Sequence, residues 1–132
     1  MANLIDRVFS SITYITFGFF GLIWLVYSVV VKKTISKFGL FNIYQSCVIS
    51  LVFAILGICY DLILKFSMMI GFLGKIVGAF HLFFFGTPMY FGFTLSGLLI
   101  TIFIGYLVIF VLFGKRPFIP VVSYMIEVNL GI

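Results

Sequence analysis

Residues 9–31 run for 23 positions without a charged side chain, and the run closes on Lys32 and Lys33, with Lys37 four residues further on. A hydrocarbon core about 30 Å thick needs about 20 apolar residues at a rise of about 1.5 Å each. The run is therefore long enough to cross a bilayer, and lysines at its end belong in the headgroup layer. It also exceeds the apolar core of a signal peptide, about 7–15 residues, so it is expected to stay as an anchor.

The rest of the chain repeats this pattern. Of 132 residues 64% are hydrophobic and only 8% charged, with a mean hydropathy of +1.38, against about 25% charged residues in soluble domains. Eight basic residues, three acidic ones and a single histidine leave little material for acid–base chemistry, so no enzyme, catalytic residue or cofactor is expected. The net charge of +5 sits at the ends of apolar segments, where the positive-inside rule explains it. Sequence-specific binding of nucleic acid is not expected. Cys47 and Cys59 are 12 residues apart in one segment, about 18 Å along a helix and too far for a disulfide.

Segments 9–31, 38–60 and 89–113 are long enough to span, and 66–85 is the doubtful one. It carries Lys75 near its middle and His81 in its second half, and a central lysine costs about 2.5–3.5 kcal/mol on insertion. It ends in Gly86-Thr87-Pro88, a turn signal. With three spans, Lys32, Lys33, Lys37, Lys115 and Arg116 share one side against Arg7, Lys65 and Lys75. With four spans the bias nearly vanishes. The expected fold is thus an all-α integral membrane protein, one unit over 1–132, with three transmembrane helices, the N-terminus outside, and 66–85 as an interfacial or partner-packed helix. The tail 117–132 is expected as an extended arm.

Small residues form stripes on these segments. Ser46, Ser50, Ala54, Gly57 and Asp61 fall at helical steps of three and four, spacing that permits close helix approach. Gly92, Ser96, Gly97, Thr101 and Gly105 repeat the device in the last span, and Gly71, Gly74 and Gly78 in the doubtful segment. Such faces exceed what one short chain can satisfy, which favours partner helices, including further copies of the chain. Lys75 is open to three partners, namely Asp61, lipid headgroups or an anionic neighbour. His81 lies off its face and reads as a packing residue, with no metal-ligand spacing around it. No inverted repeat, selectivity filter or acidic ring is present, so a transporter or channel is not indicated.

The order of landmarks resembles the gene VI type of minor coat protein at the tip of filamentous bacteriophages, the inoviruses. The features shared are a first apolar span ending in Lys32-Lys33-Thr34-Ile35-Ser36-Lys37, a second span with small residues at Ser50 to Gly57, a proline opening the last span at Thr87-Pro88-Met89, and a basic close at Lys115-Arg116. The resemblance covers roughly residues 10–116, and the extension from Pro117 is additional. It implies a structural protein held in the host inner membrane before assembly, then joining the virion tip in several copies beside the adsorption protein, where it closes and releases the particle. The alternative is an accessory membrane subunit of a respiratory or ATP-synthase complex that binds lipid. A holin-like pore former ranks third, since no face is polar enough to line water.

Overall fold

The computed structural model describes residues 2–86, 88–90 and 93–132. Helix α1 (Leu4–Ile15) and helix α2 (Phe19–Val31) divide the first apolar run between them. The break closes on itself. The Phe17 N–H donates to the Tyr14 carbonyl at 3.1 Å and the Gly18 N–H to the Thr13 carbonyl at 2.8 Å, the paired bonds of a Schellman ending. Phe17 and Gly18 take φ of 54° and 89°, and the Thr16 hydroxyl accepts the Phe20 N–H at 3.1 Å, which starts α2.

The two helices then run antiparallel. Phe9 meets Phe20 and Trp24 edge-on at 5.4 and 5.2 Å, and Gly21 faces Thr13. The expectation of one continuous span over 9–31 is corrected. With 12 and 13 residues, α1 and α2 are each about 18–20 Å long, short of a core about 30 Å thick.

Helix α3 (Lys37–Met68) has 32 residues and continues past the expected 38–60. Ser36 caps it by accepting the Gly39 N–H at 3.1 Å. The segment 66–85 is not one helix either. Its first residues finish α3, the chain turns at Met69 and Ile70, and helix α4 (Gly71–His81) follows, with a π-helical turn at Leu82–Gly86.

Strands β1 (Pro88–Tyr90) and β2 (Phe93–Thr94) form a short antiparallel hairpin, with Pro88 opposite Thr94 and Tyr90 opposite Phe93. Helix α5 (Leu95–Leu112) therefore starts later than residue 89, capped by Thr94 Oγ1, which accepts the Gly97 N–H at 3.2 Å. The tail is not wholly extended, because helix α6 (Val122–Leu130) occupies most of it.

Among the described residues the fold is thus helical apart from one small hairpin, and two helices, α3 and α5, are long and apolar enough to cross a membrane. Of the remaining helical stretches, α2 and Gly71–Gly86 are apolar but shorter.

The chain divides into two compact units, Met1–Val52 with Ile104–Ile132 and Phe53–Phe103. In the first, α2 lies antiparallel on the N-terminal half of α3 with glycines at the crossing. A Cβ at Gly18 would lie 3.3 Å from the Cys47 backbone nitrogen, one at Gly21 3.2 Å from Ile43, and one at Gly39 2.8 Å from the Trp24 ring. In the second unit, Phe53 meets Phe103 edge-on at 6.2 Å, while Ile55, Leu56, Ile58, Phe66 and Phe72 stay exposed.

Candidate functional site

The interior of the first unit is polar as well as apolar. Ser10, Thr13, Asn42 and Gln45 are completely buried beside Tyr14, Phe41, Leu107 and Val111. Buried polar groups are tolerated only when hydrogen-bonded, and most of these are. Tyr14 Oη donates to Asn42 Oδ1 at 2.9 Å, and Asn42 Nδ2 donates to the Phe38 carbonyl at 2.8 Å.

Three residues along α3, Gln45 Nε2 donates to the Pro117 carbonyl at 3.2 Å, and Ser123 Oγ reaches Gln45 Oε1 at 3.4 Å. Gln45 thereby fastens both the tail and α6 to α3. Thr13 and Ser46 return their hydroxyls to carbonyls of their own helices, Phe9 and Ile43. Ser10 Oγ is the exception, buried with no partner among the described residues.

Charged groups collect at one end of this unit. Ser36 Oγ donates to Asp6 Oδ2 at 2.9 Å, which ties the start of α1 to the start of α3. Arg7 Nε donates to the Ala2 carbonyl at 3.2 Å, and its guanidinium covers Gly114 so closely that an added Cβ there would lie 2.9 Å from Arg7 Cζ. Arg116 lies 5.7 Å above the Phe41 ring and 3.8 Å from Glu127 Oε1.

Lys37, Arg116, Ser36, Phe38, Ala2 and Ile132 line a half-open cavity of about 340 Å³. A second, apolar cavity of about 380 Å³ follows the seam between α3 and α6, walled by Tyr44, Val48, Val122, Met125, Ile126, Asn129 and Leu130.

The small residues singled out in the sequence separate into two groups. Ser46 and Ser50 serve the first unit: Ser46 Oγ backs Gly18, and Ser50 Oγ donates to the Phe17 carbonyl. Gly74 permits the tight α3–α4 turn, since a Cβ there would lie 3.2 Å from Met68 Cα.

Ser96 Oγ donates to the Phe84 carbonyl at 2.9 Å, Gly97 lies 3.2 Å from its own cap Thr94, and Thr101 bonds back to Gly97 at 2.7 Å. Ala54 is exposed, and a Cβ at Gly57, Gly71, Gly78 or Gly105 would meet nothing within 4 Å. Gly92 lies outside the described residues.

Among the charges, Lys32 ends α2 in the left-handed region with φ 55°, and Lys33 and Lys115 are exposed beside Lys32 and Arg116. Lys75 is exposed too, and Asp61, one of its three candidate partners, pairs with Lys65 at 2.8 Å instead. His81 finds a partner that the sequence did not disclose, as Tyr60 Oη lies 2.7 Å from its Nδ1 and the ring stacks on Tyr60 and Phe85.

Sequence reasoning also passed over Tyr14, Asn42, Gln45 and Ser123. The available signal was Asn42, Gln45 and Ser46 at helical spacing inside an apolar run. Among the described residues no group of three His, Cys, Asp or Glu side chains could hold a metal ion, and Cys47 and Cys59 are free. Comparison with protein-family models, with curated proteins and with solved structures finds no match.

Proposed function

We propose that this chain is a non-catalytic structural protein of a membrane, crossing the bilayer with α3 and α5, and that it serves at the tip of a filamentous phage. One observation carries the membrane part: the packing is inverted. Among the described residues, nine buried side chains are polar or charged against seven that are hydrophobic, while large apolar side chains such as Val29, Val30, Phe66, Phe72 and Phe113 face outward. In water that distribution would be costly at about 25 cal/mol per Å² of exposed apolar surface, and in lipid it is the economical one.

The two candidate spans support it further, since only 6% and 11% of their most apolar windows are buried. A core helix of a soluble protein of this size would be enclosed.

The phage assignment rests on the resemblance in landmark order, with Lys32-Lys33 and Lys37, Pro88, and Lys115-Arg116 at family-like places. In that setting the open glycine faces of the second unit would meet other coat helices, further copies of the chain and the adsorption protein. The test is a gene deletion in the phage genome. Replication of phage DNA should continue while progeny stay attached to the cell as abnormally long filaments. Normal release and length would overturn the phage reading, and loss of respiration in the host carrying the deletion would point to an accessory subunit instead.

A further inference from the structure

We propose that the basic cavity and the apolar seam beside it hold one anionic phospholipid, with the phosphate between Lys37 and Arg116 and an acyl chain between α3 and α6. The inference rests on the membrane reading above and adds to it a defined ligand site.

Four chain segments build the head end: Ala2, Ser36 with Lys37 and Phe38 at the start of α3, Arg116 after α5, and Ile132. Lys37 is the first residue of a 32-residue helix, where unpaired backbone N–H groups and the helix dipole both favour an anion. Arg116 is only loosely held by Glu127. Their separation of 3.8 Å exceeds the roughly 2.7–2.9 Å of a hydrogen-bonded charge pair, so guanidinium donors stay available.

The acids nearby do not cancel the field. Asp6, which accepts from Ser36, and Glu127, 3.8 Å from Arg116, supply two negative charges, whereas Arg7 and Lys115 add to Lys37 and Arg116 to supply four positive ones around the same end. Basic pockets of this kind beside membrane helices recognise lipid phosphates.

The tail end of the site follows from the way α6 lies on α3. Gln45 sits beside Ser123, and Lys37 and Phe38 share a cavity with Ile132, so the two helices run antiparallel and the seam leads away from the charges. Tyr44 and Val48 are seven and eleven residues past Lys37, about 10–16 Å along the axis. That is the depth at which the acyl chain of a lipid anchored at Lys37 would lie. The walls there are aliphatic and aromatic, and the single amide, Asn129 Nδ2, is already bonded to the Met125 carbonyl at 2.8 Å. A free phosphate would fill only the first cavity, and an uncharged lipid only the second.

The full chain, purified in a mild non-ionic detergent, should retain one phosphatidylglycerol in native mass spectrometry at least tenfold better than phosphatidylcholine. Replacing both Lys37→Ala and Arg116→Ala should lower that retention about tenfold, and the charge-keeping pair Lys37→Arg with Arg116→Lys should restore it. Val48→Trp, which fills the seam, should lower it as well. Circular dichroism identifies any variant that fails to fold, and the two-lipid comparison on the unaltered chain decides the question without variants. Equal retention of both lipids would overturn the proposal, and so would displacement of phosphatidylglycerol by an equimolar amount of inorganic phosphate, which would show an anion site with no acyl component. Release of the chain from membranes by alkaline carbonate would instead strike the membrane reading itself.

Discussion

Tyr14 and Ser10 lie one turn apart on α1 and are buried to the same degree, yet Tyr14 donates to Asn42 and Ser10 bonds to nothing described. A buried hydroxyl without a partner costs stability, whereas deleting one member of a pair strands the other. Tyr14→Phe should therefore lower the unfolding free energy in micelles by about 1 kcal/mol, while Ser10→Ala should leave it unchanged or raise it by up to about 1 kcal/mol. Denaturation in mixed micelles checks both, and the opposite order would contradict the hydrogen-bond assignment. Glycines divide in the same way. A Cβ at Gly21 would lie 2.6 Å from Thr13 Cγ2, and one at Gly57 would meet nothing within 4 Å, so Gly21→Ala should cost about 1–3 kcal/mol of overpacking and Gly57→Ala almost none. The sequence shows where glycines fall on a helix face but not which face has a neighbour. That is why Gly57, Gly71 and Gly78 stood out in the stripes, while Gly21, Gly39 and Gly114 carry the closest contacts. Gln45 and Asn42 were legible as polar residues in an apolar run, but their partners, Pro117 with Ser123 and Tyr14, come from 72, 78 and 28 residues away.

At the scale of the elements, the fold-back at residues 16–18 supports the proposed two-span topology. If 9–31 crossed the bilayer, Arg7 would lie opposite Lys37. The structure instead rests the Arg7 guanidinium on Gly114, next to Lys115 and Arg116, and joins Asp6 to Ser36. With α3 and α5 as the two crossings, Arg7, Lys32, Lys33, Lys37, Lys115 and Arg116 fall on one side and Lys65 and Lys75 on the other. Six against two is a stronger positive-inside bias than the five against three of the three-span reading. In a cysteine-free background, single cysteines at positions 2, 34 and 118 should all label from the cytoplasmic face and one at 69 from the opposite face. Labelling of 2 and 34 from opposite sides would restore the continuous first span. The helices themselves were largely readable from apolar length, α3 and α5 above all. The break was not, because the first of its two left-handed residues is Phe17 rather than a glycine; Gly18 and Gly21 within the run were the local hint. The α6 helix was hidden for a related reason, as it follows two prolines and owes its position to Gln45 rather than to any pattern of its own.

For the whole molecule, the contrast between the two units has a functional consequence. The first unit satisfies its buried polar groups internally, Ser10 excepted, and closes the glycine contacts at Gly18, Gly21, Gly39 and Gly114, whereas in the second only Ser67 is buried among the described residues, with Phe66, Phe72, Phe80 and Ile58 outward. Composition announced that the chain would be apolar everywhere; it did not say that one half would be packed and the other left open, since that depends on which segments fold back on each other. Without a solvent-driven force between helices in lipid, association depends on close van der Waals approach, and the positions that allow it in the second unit include Gly57 and Gly78, where an added Cβ meets nothing within 4 Å. Leucine at either position should therefore leave the fold of the isolated chain intact, because there is no neighbour to displace, and should act only on assembly. The expected effect is a roughly tenfold loss in cross-linked oligomer or in incorporation into particles, equivalent to about 1.4 kcal/mol of association free energy. Micelle denaturation of the same variants supplies the control, with a midpoint unchanged from that of the natural chain. Undiminished cross-linking in both variants would mean that lipid rather than protein covers these faces, and the structural role would then have to be carried by the first unit.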